Sequence, residues 1–206
     1  METLLLLSDM EPVEIFDESF NINAFAGDDD DGVPNIHFDI YFYSPLSTVS
    51  SQSETLHKLF LEIFGCCVHE ITHFSQEVQE VLSPGTVEYY LSSTEAEAFA
   101  AGMSSLARRQ QQELKSVMSS YLKTQVQCDR ITDSEAQRVC RVWLERADDL
   151  IPEIEEKKFT LATYVANDLI QNVFHKEQTT PAAYLCDFLS DSEEFFTVTH
   201  SIICDF

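Results

Sequence analysis

The sequence is short of positive charge. Its 206 residues carry 12 Lys and Arg against 36 Asp and Glu, a formal net charge of −24. The first basic residue is Lys58, and most of the others fall between Arg108 and Lys158. Contact with a nucleic-acid backbone needs clustered Lys and Arg, so that class of partner is disfavoured. The acidic surplus instead suits basic partners, divalent cations and solubility. Also missing is any apolar stretch long enough to span a bilayer, so no membrane span is expected. The opening "METLLLLSDMEP" has a leucine run with no basic residue ahead of it. It lacks the positive segment of a secretory signal and reads as a first strand. The six cysteines (Cys66, Cys67, Cys128, Cys140, Cys186 and Cys204) make no CxxC pair. That argues against a zinc ribbon and a disulfide framework, and fits reduced, buried thiols in a cytosol-like compartment. Neither an internal repeat nor a linker is visible. With 44% apolar residues, the chain reads as one domain over residues 1–206.

The first 50 residues read as mainly β and residues 53–206 as mainly α, an α+β organisation. "VEIFDESFNINAFA" (13–26) partly alternates apolar and polar positions, and "IHFDIYFYS" (36–44) alternates again, with Ile36, Phe38, Ile40 and Phe42 on one face. The pair predicts a long antiparallel hairpin around "GDDDDGVPN". The four aspartates at 28–31 lack the ligand spacing and distal glutamate of a calcium loop, and read as a solvated acidic turn. From Ser53 to Leu82 there is no proline and one glycine, Gly65, before the stop "SPG" at 83–85. One long helix is predicted there, apolar nearly all round at 59–68 and therefore buried. A second helix should start near "SSTEAEAFAAGM" and run to about Gln125. A third should carry Thr132 as its cap and Glu135 at the capping-box position. Residues 159–174 make a fourth, and the tail is mixed helix and strand.

"HEITH", residues 69–73, follows the apolar run "KLFLEIFGCCV" within that helix. On a helix, i and i+4 lie on one face, so His69 and His73 can aim two imidazole nitrogens at one zinc ion. Glu70 sits to the side, where it can take a proton from a water activated by the metal without becoming a ligand. Composition alone gives roughly 0.02 chance occurrences of this pattern, which makes it informative, though short motifs do recur by accident. The bland alternative is a pair of ordinary histidines on an amphipathic face. A catalytic zinc usually takes three protein ligands and keeps one position open. "STEAEAFAAG" supplies Glu95 and Glu97 at the start of the next helix.

HExxH followed by a helix with Glu-x-x-Ala resembles the gluzincin branch of zinc metallopeptidases. More closely, "HEITHFSQE…YYL…EAEAFA" is similar to small metallopeptidase-like proteins of bacteriophages, over about residues 36–107. The resemblance implies a single zincin-like domain: a small N-terminal sheet, a buried active-site helix and a helical C-terminal half. It implies His69 and His73 as zinc ligands and Glu70 as general base. Glu95 matches the third ligand, because Ala98 follows at the family's spacing. An aspartate often comes next in the family; here that position is Phe99, so an acid that would orient a ligand histidine is missing.

Glu97 is the rival third ligand. Positions 95 and 97 are about 200° apart on a helix, so only one can face the ion. Ser92 with Glu95, or Thr94 with Glu97, would each form a capping box. With Thr94 as cap, Glu97 folds back and Glu95 is left for the metal, which favours Glu95. Tyr89 and Tyr90 are candidates to place a phenol beside a developing oxyanion, although buried core tyrosines are commoner. His37 sits on the predicted edge strand, out of phase with Phe38, and should be exposed. His57, His175 and His200 read as structural or surface residues.

The leading expectation is a zinc-dependent metallopeptidase acting on a peptide or protein substrate, with basic substrates suiting its charge. It would work in the cytoplasm, or in a host cytoplasm or virion if phage-encoded. A non-catalytic zincin-like structural or interaction protein, such as a phage particle component, is the alternative. A second alternative is an acidic decoy that mimics nucleic acid.

Overall fold

The computed structural model describes residues 20–28, 34–43, 53–76, 82–174, 188–189 and 193–201. Among them are strands β1 (Phe20–Asp28), β2 (Pro34–Phe42), β3 (Phe188–Leu189) and β4 (Glu193–Ser201). The helices are α1 (Ser53–Phe74), α2 (Val87–Leu91), α3 (Ser93–Gln110), α4 (Leu114–Gln127), α5 (Asp133–Asp148) and α6 (Pro152–Phe174). The architecture is mixed and mostly helical. The expected first strand at Met1, residues 13–19, most of the acidic turn, His175, Cys186 and Cys204 lie outside the described residues. Cys66, Cys67, Cys128 and Cys140 are thiols. The chain divides into two compact units, residues 1–67 with 162–205, and residues 68–161. Both divisions fall inside helices, α1 and α6.

The first unit holds a four-stranded antiparallel sheet in the order β1-β2-β4-β3. The hairpin runs in register from Phe20↔Phe42 to Asp28↔Pro34. Period-two alternation does what it predicts: Ile36, Phe38, Ile40 and Phe42 are all fully buried, as is Phe20. His37 is a correction. β2 is an inner strand, because β4 pairs along its other side from Asn35↔Ser201 to Phe42↔Glu194. His37 is therefore partly buried and stacks on Phe25, with ring centroids 4.7 Å apart. In the same unit, Leu59, Ile63, Phe64 and Cys67 of α1 are buried, as the all-round apolar run requires. Glu62 interrupts that run, and burial pushes its carboxyl up to about 7.

The second unit is helical. Its core gathers Tyr90, Phe99, Met103, Met118, Leu122, Val139 and Trp143. The Trp143 ring stacks on Phe99 at 4.5 Å and its indole N–H donates to the Tyr90 carbonyl at 2.9 Å. That meets the usual demand of a buried tryptophan for both packing and a hydrogen-bond partner. α5 begins with the predicted capping box: Thr132 accepts from the Glu135 amide, and the Glu135 carboxylate accepts from the Thr132 amide.

Two helix boundaries differ from expectation. α1 ends at Phe74, not Leu82, as Ser75 and Gln76 close back on the carbonyls of Thr72 and His73. The expected helix to Gln125 is two helices. Gln111 caps α3 in the left-handed region (φ 55°) and turns the chain before α4. Glycine normally signals such a cap. Here a glutamine does the work, so the sequence carries no mark of it. Gly85, with φ 81°, does mark its turn, after which Thr86 caps the short α2.

Candidate metal centre

The end of α1 and the start of α3 lie together in the second unit and bring three side chains to one point. His69 and His73, one helical turn apart, place their Nε2 atoms 3.1 Å from each other. Glu95 meets them from α3, with Oε2 at 3.3 Å from His69 Nε2 and Oε1 at 3.7 Å from His73 Nε2. Ligands about 2.0–2.1 Å from a tetrahedral zinc would sit about 3.3 Å apart, so the two imidazole nitrogens and the two Glu95 oxygens that approach them are spaced to surround one ion. Glu95 Oε2 is also buried, and His69 Nε2 at 3.3 Å approaches it without completing a well-aligned hydrogen bond. Such an atom is costly unless something positive satisfies it. The side chains are 10–13% exposed, shielded yet reachable. This is the one such His, Cys and carboxylate group among the described residues, and it can hold a metal ion.

The route by which Glu95 comes free corrects the sequence reading. Ser92, not Thr94, caps α3, and it accepts from the Glu95 backbone N–H at 3.3 Å. Only the backbone of Glu95 joins the cap, so its carboxylate is left to face the histidines. Glu97 does not fold back on Thr94. It accepts a hydrogen bond from the Gln76 side chain at 3.2 Å and stands outside the three-atom cluster.

Electrostatics tie the cluster together. Burial alone would push the His69 pKa down, but the hydrogen bond to Glu95 and the charges of Glu70 and Glu95 lift it above its ordinary value. His73 is driven down by burial and by the charge of His69. Burial would raise the Glu95 carboxyl, yet its contacts with His69, His73 and Tyr89 hold it below the usual carboxylate range.

Around this core, Glu70 is buried at 8% exposure and its charge acts on both His69 and Tyr89. Burial, then Glu95 and Glu70, raise the Tyr89 phenol well above its normal pKa, with Glu95 in hydrogen-bonding reach. The neighbouring Tyr90 is a core residue: its hydroxyl donates to Gln125 Oε1 at 2.9 Å. Phe99, where the resemblance expects an acid, packs edge-on against the His69 ring at 4.6 Å. Behind the motif, Thr72 donates to the Val68 carbonyl and accepts from the buried Lys158 ammonium at 3.1 Å. Lys158 is held in turn by Glu155 at 2.9 Å.

Sequence reasoning missed Gln76. Its side-chain oxygen lies 2.8 Å from His73 Nδ1, and its amide nitrogen donates to the Thr94 carbonyl at 2.9 Å and to Glu97. The spacing three residues past His73 was visible, but on a continuing helix that position has no reason to turn toward α3. His57 is exposed on α1, well before the motif, and His37 and His200 lie on the sheet. No known protein family, curated protein or solved structure matches the chain.

Proposed function

We propose that the chain is a zinc-dependent metallopeptidase of the HExxH…E type with a zincin-like fold. The observation that carries this is the set of three edges, 3.1, 3.3 and 3.7 Å, among His69, His73 and Glu95, with Glu70 buried beside them. Two imidazoles and a carboxylate are the donor set of an open hydrolytic zinc site, and they leave one coordination position for the reacting group. A bound zinc ion would lower the pKa of a water to about 7 and polarise a peptide carbonyl. Glu70 accepts the proton of the attacking water and returns it to the leaving amine. Tyr89 stands across Glu95 as a neutral donor at neutral pH. The net charge of −24 suits basic stretches of a peptide or protein substrate.

The test is metal stoichiometry followed by peptide cleavage. Purified protein should carry close to one zinc per chain, and His69→Ala or His73→Ala should lose it. Glu70→Gln should keep zinc and fold but lose cleavage of a mixed peptide pool by about 10²-fold or more, read by mass spectrometry. Wild type that stays zinc-free after remetallation would sink the metal site. Zinc-loaded wild type that cleaves nothing would instead mark a structural metal protein.

A further inference from the structure

We propose that Gln76, held by Glu97, is the positioning residue that fixes His73 for metal binding and does the work of the acid missing at Phe99. The inference rests on the metal-centre reading above. Gln76 Nε2 faces two groups that can only accept, the Thr94 carbonyl at 2.9 Å and the Glu97 carboxylate at 3.2 Å. The NH₂ must therefore point to α3, which leaves Oε1 facing His73 Nδ1 at 2.8 Å. An amide oxygen cannot donate, so Nδ1 must carry the proton. The lone pair of His73 is then on Nε2, the atom that faces His69 and Glu95. Glu97 and Thr94 thus decide the tautomer of His73 through one intermediate side chain.

The same residue sets a distance. Gln76 follows the end of α1, while Thr94 and Glu97 flank Glu95 on α3. Gln76 therefore ties the helix bearing the two histidines to the helix bearing the third ligand. A simple helix cap would bond backbone groups of α1 alone. The Gln76 backbone N–H does so, to the His73 carbonyl at 3.2 Å, and its side chain is left for the cross-link. His69 is held differently, by the Phe99 ring against its own. Partners that orient a ligand histidine are worth about 10- to 100-fold in metal affinity, which sets the expected effect.

Two measurements test this. In metal-free protein, long-range ¹H–¹⁵N correlation should show His73 protonated at Nδ1, and Gln76→Ala should lose that preference. In zinc competition with a chromophoric chelator, Gln76→Ala should bind about 10- to 100-fold more weakly than wild type. Glu97→Ala should lose less, and the double substitution should lose no more than Gln76→Ala, because Glu97 acts only through Gln76. Gln76→Glu keeps the acceptor for His73 but sets two carboxylates against each other. Adding Glu97→Gln restores a donor between them and should recover most of the affinity. That exchanged pair carries the test if Gln76→Ala does not fold. A folded Gln76→Ala with wild-type affinity and an unchanged His73 tautomer would overturn the proposal. So would Glu97→Ala losing as much affinity as Glu95→Ala, since Glu97 would then be a ligand. If wild type binds no zinc, the metallopeptidase reading falls, while the metal-free tautomer still decides the role of Gln76.

Discussion

Two adjacent tyrosines show how sharply role can change from one residue to the next. Tyr89 and Tyr90 occupy successive positions on one turn of α2, so their rings point about 100° apart. Tyr90 goes into the core, donating to Gln125 Oε1 and supporting Trp143 through its carbonyl. Tyr89 goes to Glu95. Tyr90→Phe should cost about 1 kcal/mol in urea unfolding, the usual worth of a buried hydrogen bond, and leave zinc affinity unchanged. Tyr89→Phe should reverse that pattern. It removes a donor from the carboxylate proposed to bind zinc, so zinc affinity should fall by about 10-fold while stability barely moves. Equal stability losses in both variants, with equal zinc affinity, would mean that Tyr89 is only a core residue. At this scale the sequence was informative wherever chemistry depends on local spacing. The His69–His73 pair was legible because one helical turn brings the two rings together. Gln76 was not, since its role depends on α1 ending at Phe74, eight residues before the expected end at Leu82.

At the scale of the element, the contrast between Thr132 and Gln111 explains which boundaries could be read. Thr132 and Glu135 satisfy each other's backbone groups three residues apart, a signature any window of sequence exposes. Gln111 ends α3 by entering the left-handed region, and no glycine announces it. Thr132→Ala should cost about 1 kcal/mol by removing the cap. Gln111→Gly should instead stabilise the protein by about 0.5–1 kcal/mol, since glycine occupies positive φ without the penalty of a side chain. Chemical denaturation of both variants checks the pair. Destabilisation by Gln111→Gly would show that the glutamine side chain earns its place by a contact of its own. The sheet was half legible for a related reason. The β1–β2 hairpin is local, whereas the pairing of β2 with β4 joins residues more than 150 positions apart, and alternation alone cannot reveal that a strand has two neighbours.

For the whole molecule, charge is the dominant fact, and it bears on stability at one partly buried carboxyl in particular. A net charge of −24 is self-repulsive, and folding concentrates it. Glu62 sits inside the apolar run of α1, where burial lifts its carboxyl from 4.5 to about 7. The folded state therefore binds a proton at Glu62 more tightly than the unfolded chain does. Its contribution is fully present below about pH 4.5, and it is lost as pH rises through about 7. General repulsion acts in the same direction, because every carboxylate ionises as pH rises. Salt separates the two. Repulsion between exposed charges is screened at about 0.5 M salt, where the Debye length is only a few Å, while desolvation of a partly buried carboxylate persists. Wild type should therefore melt higher at pH 6 than at pH 8 even in high salt. Glu62→Gln, which cannot ionise, should lose most of that residual difference and gain roughly 1–2 kcal/mol over wild type at pH 8. If the pH dependence vanishes in salt for both proteins, the acidic surface alone accounts for it and Glu62 is solvated. If it persists in salt only in wild type, the cost of the charge lies at Glu62.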